Sequence, residues 1–143
     1  MQIREMSLKE LETIYEVVSQ LREKLSYKEF EDLIYEMRHM EYKMIGLIDK
    51  GELIVYAGVA VQTNLYHKRH LYLFDLVTDE EQRGRGYAKM MLEYLEAYAN
   101  TAMCENIVLS SNFARKGAHA FYEKNGFVKK SYVFLKTMKS SSA

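Results

Sequence analysis

The sequence predicts an α+β fold with a mixed, mainly antiparallel central sheet and flanking helices. Apolar runs typical of strands and apolar residues at helical spacing follow one another in the order strand, two helices, three strands, helix, strand, helix, strand. Short turns join the three consecutive strands, so we expect them to pair antiparallel. A long helix precedes the next strand and indicates a crossover connection between neighbouring strands, which places the chain in the α+β class.

Two capping motifs mark the helices in the first part of the chain. Residues 3–6 read as a short strand, and the following Ser7-Leu8-Lys9-Glu10 has the pattern of a capping box that opens a helix. Ser26-Tyr27-Lys28-Glu29 repeats the motif and opens a second helix that extends to about His39. The predicted apolar faces consist of Leu11, Ile14, Tyr15, Val18 and Leu21 in the first helix, and of Phe30, Leu33, Ile34 and Met37 in the second.

Turn residues delimit the remaining elements. Asp49-Lys50-Gly51 separates strands at 42–48 and 52–61 and has the chemistry of a hairpin turn. In chain order we then expect a turn near 64–68, a strand at 69–78, a helix at about 83–102, a strand at 106–111, a helix at 114–124 closed by Asn125-Gly126, and a final strand at 132–136. Residues 1–139 should form a single domain, with a frayed tail at 140–143.

Composition and charge narrow the class of protein. A chain of 143 residues that is 48% hydrophobic and 13% aromatic can bury a sizeable core, as a folded globule does. Its 20 lysine and arginine residues balance 20 aspartate and glutamate residues, so the chain as a whole has no electrostatic basis for binding nucleic acid non-specifically. We therefore expect no nucleic-acid partner.

The compartment follows from the cysteine content and from the apolar runs. The single cysteine, Cys104, excludes an internal disulfide and fits a reducing compartment, and a buried apolar role suits it better than a nucleophilic one. The N-terminus lacks the apolar run of a secretion signal, and no apolar stretch approaches the roughly 20 residues needed to span a bilayer. We expect a cytoplasmic protein without a membrane partner.

The most informative motif is Gln-Arg-Gly-Arg-Gly-Tyr-Ala at 82–88, between a predicted strand and an amphipathic helix. Gly84 and Gly86 let a phosphate approach the backbone, and the helix start offers unpaired N–H groups and the positive end of the helix dipole. The dinucleotide fingerprint needs a small residue where Lys89 stands, and the nucleoside-triphosphate loop needs a Gly-Lys-Ser/Thr that is absent. We favour anion contact for Arg83 and Arg85 over a role as solvated loop charges.

The motif resembles the pyrophosphate loop of the GNAT superfamily of acyl-CoA-dependent N-acyltransferases, whose pattern is Gln/Arg-x-x-Gly-x-Gly/Ala. Arg83, Gly86 and Ala88 match this pattern. The segment Ala118-His119-Ala120-Phe121-Tyr122-Glu123-Lys124-Asn125-Gly126-Phe127 is similar to the family's Ala-x-x-x-Tyr-Glu-Lys-x-Gly-Phe, and Asp75-Leu76-Val77-Thr78 resembles the strand that leads into its loop. The predicted order of elements also agrees with the family fold, so the resemblance covers nearly the whole chain.

The resemblance implies an acetyl-CoA-dependent N-acetyltransferase that acts by direct transfer in a ternary complex, without a metal. It implies that Tyr122 is the acid that protonates the departing thiolate. The implied cofactor-binding residues are Leu76, Val77, Thr78, Arg83, Gly84, Arg85, Gly86, Tyr87, Ala88, Asn112 and Arg115. One position departs from the family pattern, because Arg115 stands where many members have an asparagine that contacts the pantetheine arm, and Asn112 lies three residues earlier.

Two readings stay open for the strand at 69–78. Its alternation puts Tyr72, Phe74 and Leu76 on one face and Leu71, Leu73 and Asp75 on the other, and Val77 then breaks the pattern. Val77 fits either a β-bulge, which in the GNAT fold turns backbone groups toward the thioester and pantetheine, or a core position under the loop. Asp75 either binds the amine substrate or accepts a structural hydrogen bond.

Other functional questions also stay open at this level. A non-catalytic acyl-CoA sensor and a protein-interaction domain would use the same fold, and the intact Tyr122 segment favours the enzyme over both. The resemblance places acceptor specificity in the first two helices and the turn near 64–70, where four residues either line an amine pocket or only pack: Tyr15, Tyr27, Glu31 and Tyr35. His67 and His70 have metal-like spacing, but a solvated turn fits them better because no further ligands stand out. A homodimer is compatible with the sequence.

Overall fold

The structure is a computed structural model that describes residues 1–139; the predicted tail at 140–143 lies outside the described residues. The chain divides into two compact units, the first ending at Leu109 and the second beginning at Ser110. The single domain expected at 1–139 stays a prediction.

The first unit contains a five-stranded sheet and three α-helices. Its elements are β1 (Gln2–Glu5), α1 (Leu11–Val18), α2 (Tyr27–Met37), β2 (Lys43–Asp49), β3 (Glu52–Asn64), β4 (Lys68–Thr78), α3 (Tyr87–Thr101) and β5 (Asn106–Leu109). Short 3₁₀ turns precede α1, follow α2 and follow β4, at Leu8–Glu10, Arg38–Met40 and Glu80–Gln82. In the second unit, α4 covers Lys116–Lys124.

The strands are ordered β1-β2-β3-β4-β5 in the sheet, with every neighbouring pair antiparallel except β4 and β5. Those two strands are parallel because α3 carries the chain back across the sheet between them. The predicted α+β class with a mixed, mainly antiparallel sheet is therefore confirmed.

The turn between β2 and β3 shows how local sequence sets this topology. Lys50 and Gly51 both have positive φ, 52° and 80°, as a type I′ turn requires, and Asp49 pairs with Glu52 on either side of them. The turn's twist matches that of the flanking strands, so the predicted hairpin forms with a two-residue connection.

Both predicted capping boxes form. The Ser7 hydroxyl accepts from the N–H of Lys9 at 3.3 Å, and the Glu10 carboxylate accepts from the N–H of Ser7 at 3.0 Å. At the second box, the Ser26 hydroxyl accepts from the N–H of Glu29 at 3.2 Å, and the Glu29 carboxylate accepts from the N–H of Ser26 at 3.3 Å. These side chains satisfy N–H groups that a helix start leaves without partners, which fixes where the helical segments begin.

The core has a layer on each face of the sheet. On one face α1 and α2 bury a cluster around Tyr56 that includes Ile14, Phe30 and Ile34. Because side chains alternate along a strand, the neighbours of Tyr56 in β3 point to the other face, where α3 packs against β3 and β4. The buried residues of α3 are Met91, Leu92, Leu95 and Ala99. We refer to the side covered by α1 and α2 as the α1/α2 face.

The predicted final strand is wrong, and two helices start later than predicted. Residues 132–136 have no strand assignment, and their apolar side chains are exposed, Phe134 by 93% and Leu135 by 88%. The apolar residues at 132–136 favour a strand by their intrinsic propensity. A strand also needs a neighbouring strand with which to form hydrogen bonds, and these residues pair with none in the described part of the chain. Helices α3 and α4 begin at Tyr87 and Lys116 instead of near 83 and 114.

The first capping box predicts how the fold responds to acid. Arg4 donates to both oxygens of Glu10, at 3.1 and 2.8 Å, and this pairing is the main cause that lowers the pKa of Glu10 to about 2 from its usual 4.5. A lowered folded-state pKa means that the ionised Glu10 stabilises the fold above about pH 4.5, and that this contribution is lost as the pH falls toward 2.

We expect Glu10→Gln to lower the free energy of unfolding by about 1 kcal/mol at pH 7, since the carboxylate is partly exposed and its ion pair is screened. Denaturant titrations from pH 7 to pH 2 should show a shallower loss of stability for the variant between pH 4.5 and pH 2. Glu93→Gln, at an exposed position of α3, provides the control. Parallel stability curves for the parent and Glu10→Gln would contradict the prediction.

Candidate active site

The glycine turn that leads into α3 is built as an open cradle of backbone groups. Gly84 and Gly86 have φ angles of 79° and 82°, and a Cβ atom at either position would meet nothing within 4 Å. Gly86 is the N-cap of α3 and provides no side-chain cap, and the carbonyl of Gly86 accepts from the N–H of Met90 at 3.2 Å. The N–H groups at the first turn of α3 are thus left for an external acceptor, as at any helix start.

Each of the two arginines of this turn donates a hydrogen bond to a residue nearby in the chain. Nε of Arg83 donates to the carbonyl oxygen of Thr78 at 3.3 Å, and Nη1 of Arg85 donates to Oε1 of Gln82 at 3.1 Å. Both arginines are exposed, while Tyr87 and Ala88 are half-buried at the start of α3. The turn therefore combines two guanidinium groups with the positive end of a helix, which favours an anion.

Of the two interpretations of Val77, the structure supports the core position, and the bulge in β4 lies at Phe74. Gly58 pairs with Asp75 and the next residue of β3, Val59, pairs with Leu73, so Phe74 is the extra residue. Val77 pairs regularly with Tyr56 and is buried in the core of the α1/α2 face. The sequence pattern could not place the bulge because Phe74 and Val77 are both apolar, so either could be out of phase.

The bulge also changes the face on which Asp75 lies. Cross-strand partners share a face, so Asp75 and Val77 lie on the same face as Gly58 and Tyr56. Phe74 packs against Tyr42 and Tyr72 on this same face, with ring centroids 5.6 and 4.7 Å apart. The alternation predicted from sequence put Asp75 on the face opposite Phe74, which is wrong because a bulge adds a residue and reverses the phase beyond it.

The pairing of β4 with β5 ends next to the bulge at Phe74. The parallel register runs from His70 and Asn106 to Leu73 and Leu109, whereas β4 itself continues to Thr78. The predicted cofactor-contacting residues Leu76, Val77 and Thr78 therefore lie on the part of β4 beyond both the bulge and the ladder with β5.

A pocket of about 680 Å³ opens on the α1/α2 face. It is lined by ten uncharged and four charged residues, namely Val18, Leu21, Leu25, Phe30, Leu33, Ile34, Met37, Tyr42, Tyr56 and Phe74, with Arg22, Glu23, Lys24 and Asp75. Within the pocket, Nε and Nη2 of Arg22 contact Oδ1 of Asp75 at 2.9 and 2.7 Å. Nη2 of Arg22 also donates to the carbonyl of Phe74 at 3.3 Å. The volume suits a small organic molecule.

Two tyrosines that sequence reasoning missed form the polar part of the pocket's floor. The hydroxyls of Tyr42 and Tyr56 are 2.6 Å apart and buried. Burial is the main cause that raises the pKa of both phenols, and the negative charge of Asp75 contributes further, so both stay protonated at neutral pH. The signal in the sequence is Gly58, a glycine within an apolar strand, because a Cβ there would collide with the Tyr42 hydroxyl.

The four residues considered for an amine pocket, Tyr15, Tyr27, Glu31 and Tyr35, do not line the pocket described above. The hydroxyl of Tyr15 donates to the carbonyl of Leu25 at 2.6 Å, and its ring packs edge-on against Tyr27 at 5.3 Å. Tyr15 and Tyr27 thus pack, and other residues of the same helices face the pocket.

In the second unit, α4 carries Tyr122 and ends as predicted. Gly126 has a φ of 92°, and the N–H of Phe127 donates back to the carbonyl of Tyr122 at 3.0 Å. The ring of Tyr122 is half-buried and lies edge-on to Phe127, with centroids 5.6 Å apart.

Asn112 organises the turn before α4. Its side-chain oxygen accepts from the N–H of Ala114 at 2.8 Å, and its carbonyl oxygen lies 2.8 Å from Nε2 of His119. Arg115 follows as the exposed N-cap residue of α4, and its N–H donates to the carbonyl of Asn112 at 3.0 Å. Asn112 therefore has a local structural role, while the guanidinium of Arg115 faces solvent.

The histidines and the cysteine considered in the sequence have surroundings typical of structural residues. His70 is buried with Nδ1 2.9 Å from the carbonyl oxygen of Lys68, and its ring lies 5.4 Å from that of His67. Within residues 1–139 no group of three or more histidine, cysteine, aspartate or glutamate side chains could hold a metal ion. Burial raises the pKa of the Cys104 thiol, which makes it a poor nucleophile. No described helix is both long and apolar enough to cross a membrane.

Comparison with known proteins identifies the family. A model of the acetyltransferase (GNAT) family matches residues 6–127, so the chain belongs to this family. The chain is 32% identical over 124 residues to a Bacillus subtilis protein called uncharacterized N-acetyltransferase YhdJ, covering 85% of this chain and 87% of that protein. The predicted family resemblance is confirmed.

Two further proteins are more distant. An aminoalkylphosphonate N-acetyltransferase of Salmonella typhimurium is 23% identical over 142 residues, covering 96% of this chain and 91% of that protein. The solved structure of an aminoglycoside N-acetyltransferase in complex with CoA has a TM-score of 0.84 at 14% identity and covers 97% of this chain and 95% of its own. The latter shows that the fold is shared.

The contact between Gly58 and Tyr42 predicts a strict size limit. We expect Gly58→Ala to lower the free energy of unfolding by about 1–3 kcal/mol, because the new methyl group displaces a buried phenol from its partner Tyr56. In a Tyr42→Leu background, which removes the ring, the same substitution should cost much less. Chemical denaturation of the four proteins measures both effects, and equal costs in the two backgrounds would contradict the assignment.

Gly117→Ala serves as a control, since Gly117 lies in α4 and a Cβ there meets nothing within 4 Å. Alanine is the better helix former, so this variant should be as stable as the parent or more stable.

Proposed function

We propose that the protein transfers an acetyl group from acetyl-CoA to an amine by direct transfer in a ternary complex. The observation that carries the proposal is the glycine turn at the start of α3, with its two open positive-φ glycines, in a chain that belongs to the GNAT family. The uncapped helix start is the kind of site that binds a phosphate through backbone N–H groups.

In this proposal the pyrophosphate of acetyl-CoA binds the N–H groups of residues 84–88. Gly84 and Gly86 let the phosphate oxygens approach the backbone, because any side chain at these open positions would project into the space they need. Arg83 and Arg85 add positive charge, screened by solvent because both are exposed. Arg115 and Asn112 are assigned to further contacts with the cofactor, with Arg115 suited to a phosphate.

The acetyl-bearing end of the cofactor is assigned to β4 beyond Phe74. The ladder between β4 and β5 ends at Leu73, so the backbone of Leu76, Val77 and Thr78 is suited to accept and donate hydrogen bonds along an extended arm such as pantetheine. The side chain of Val77 is in the core, so its assigned contact is a backbone one.

The chemistry requires an uncharged amine, a place for the developing oxyanion and a proton for the leaving group. The amine nitrogen attacks the thioester carbonyl, the C–N bond forms, and the C–S bond breaks. We assign to the Tyr122 hydroxyl the proton that converts the departing thiolate into the thiol of CoA. The attacking amine loses its proton to water, and the Tyr122 phenolate regains a proton from solvent. An acyl-CoA sensor without transfer activity is the alternative that the experiments below separate.

Acetyl-CoA binding at the turn is tested by Gly86→Glu. The carboxylate would occupy the place of the pyrophosphate and repel it, so we expect the affinity measured by titration calorimetry to fall by at least about 100-fold. Gly51→Glu is a matched control, because Gly51 also has positive φ and open surroundings but lies in the β2–β3 hairpin. A folded Gly86→Glu protein with the affinity of the Gly51→Glu control would exclude this site.

The role of Tyr122 is tested by Tyr122→Phe. The substitution keeps the ring and removes the proton, so the single-turnover rate should fall by about 10²–10⁴-fold with little change in acetyl-CoA affinity. Tyr132→Phe, at an exposed tyrosine in the same unit, should leave the rate unchanged. Acetyl transfer at the parent rate by the phenylalanine variant would assign Tyr122 to packing. Acetyl-CoA binding without transfer in the parent, across an amine panel, would favour the sensor.

A further inference from the structure

The two charged groups that pair in the pocket on the α1/α2 face, Asp75 and Arg22, differ in exposure. Asp75 belongs to β4, next to the bulge, and only 17% of its side chain is exposed. Arg22 comes from the segment after α1, and 51% of its side chain is exposed. The carboxylate is therefore fixed on the sheet, whereas the guanidinium reaches it from a long side chain that solvent can accept.

The Arg22–Asp75 ion pair uses one oxygen of the carboxylate. Both short contacts from Arg22 are made to Oδ1 of Asp75, so the pair engages one of the two carboxylate oxygens. An exposed guanidinium contributes little to an ion pair, since solvent screens it and the side chain loses rotamer freedom. A ligand cation that enters the pocket can therefore compete with Arg22 for Asp75.

The walls of the pocket are mainly apolar. From α1 and α2 come carbon surfaces, such as Phe30, Leu33 and Met37, and the floor adds Phe74. The two hydroxyls on the floor, of Tyr42 and Tyr56, already bond to each other. A ligand rich in hydroxyl groups would find few partners on these walls, and each buried polar group without a partner costs free energy.

We propose that the acceptor is a primary amine carried on an apolar body, whose ammonium group binds Asp75 in competition with Arg22. The inference rests on the proposed acetyltransferase function and adds the acceptor class and a specificity-determining residue, Arg22. The apolar body contacts the α2 side of the pocket, and the ammonium group loses one proton to water before the nitrogen attacks the thioester.

The pocket disfavours two other kinds of acceptor. A phosphonate would place a second anion near Asp75 and would bring its oxygens against walls that are mainly carbon. A polycationic sugar would need several acidic partners, whereas the lining holds only Glu23 and Asp75 against Arg22 and Lys24. Charge and wall chemistry thus both select a single cationic group on an apolar body.

Binding of 2-phenylethylamine, measured by titration calorimetry without acetyl-CoA, tests the inference in the full chain. Arg22→Gln removes the competing cation, so we expect its dissociation constant for this amine to fall by about threefold or more. Asp75→Asn should raise the dissociation constant by about tenfold or more, because the amide keeps the size and loses the charge. Lys28→Gln is the matched charge control, because Lys28 is an exposed cation of α2 that does not line the pocket, and the expected change is below about twofold.

The uncharged isostere 2-phenylethanol separates a charge effect from a structural one. If Arg22 competes with the ammonium group, Arg22→Gln changes the affinity for the amine and leaves that for the alcohol unchanged. Equal changes for both ligands would show that Arg22 only shapes the pocket and would overturn its assigned role. Thermal melts of the variants show which are folded, and Arg22→Gln alone still decides the question if Asp75→Asn fails to fold.

Two other outcomes bear on the acceptor class. Tighter binding of 2-aminoethylphosphonate or ethanolamine than of 2-phenylethylamine would overturn the apolar-amine assignment. Binding of 2-phenylethylamine as predicted, with no acetyl transfer to any amine, would count against the proposed function alone. Transfer to other amines by a protein that does not bind 2-phenylethylamine or hexylamine would count against this inference alone.

Discussion

The β-bulge at Phe74 is the constraint on which the arrangement of the first unit depends. One extra residue in β4 brings Phe74 and Asp75 onto the same face of the sheet, beside Gly58. Without it, the regular alternation of a strand would place Asp75 on the face covered by α3, against an apolar helix. The charge of the pocket, its aromatic floor and the end of the β4–β5 ladder all lie at this point of the chain.

Gly58 is the counterpart of the bulge on the neighbouring strand. The absence of a side chain there makes space for the Tyr42 hydroxyl, which bonds to Tyr56 at 2.6 Å and whose ring packs against Phe74. A buried hydroxyl is costly unless it is paired, and the tyrosine pair satisfies both groups without a charged partner. The pocket is therefore lined here by two hydroxyl groups that already have a partner.

The two candidate binding features of the first unit use opposite electrostatics. The turn into α3 gathers two arginines and a helix start, which together attract an anion, whereas the pocket holds a carboxylate on the sheet opposite a solvent-accessible guanidinium. In the proposed function, an acyl-CoA donor carries phosphates and an amine acceptor carries a positive charge, so each ligand would be attracted to a different one of these two features. This separation of charge supports the proposed ternary complex in a chain with no net charge.

The sequence by itself determined the features that depend on residues close together in the chain. Both capping boxes, the hairpin at Asp49 to Glu52, the glycine turn at Gly84 and Gly86, and the end of α4 at Gly126 rest on local hydrogen bonds and backbone preferences, and all of them form. The family also followed from short motifs in their order, namely the glycine turn at 82–88 and the segments 75–78 and 118–127.

Only the tertiary structure decided the features that need a partner from elsewhere. The position of the bulge depends on the register of β4 against β3, and the pairing of Arg22 with Asp75 joins residues 53 positions apart. The apolar residues of 132–136 have strand propensity, yet no strand forms at these positions. Registers, ion pairs and ladders are set by which surfaces meet in three dimensions, and the pattern of a single segment carries no information about the surface it will meet.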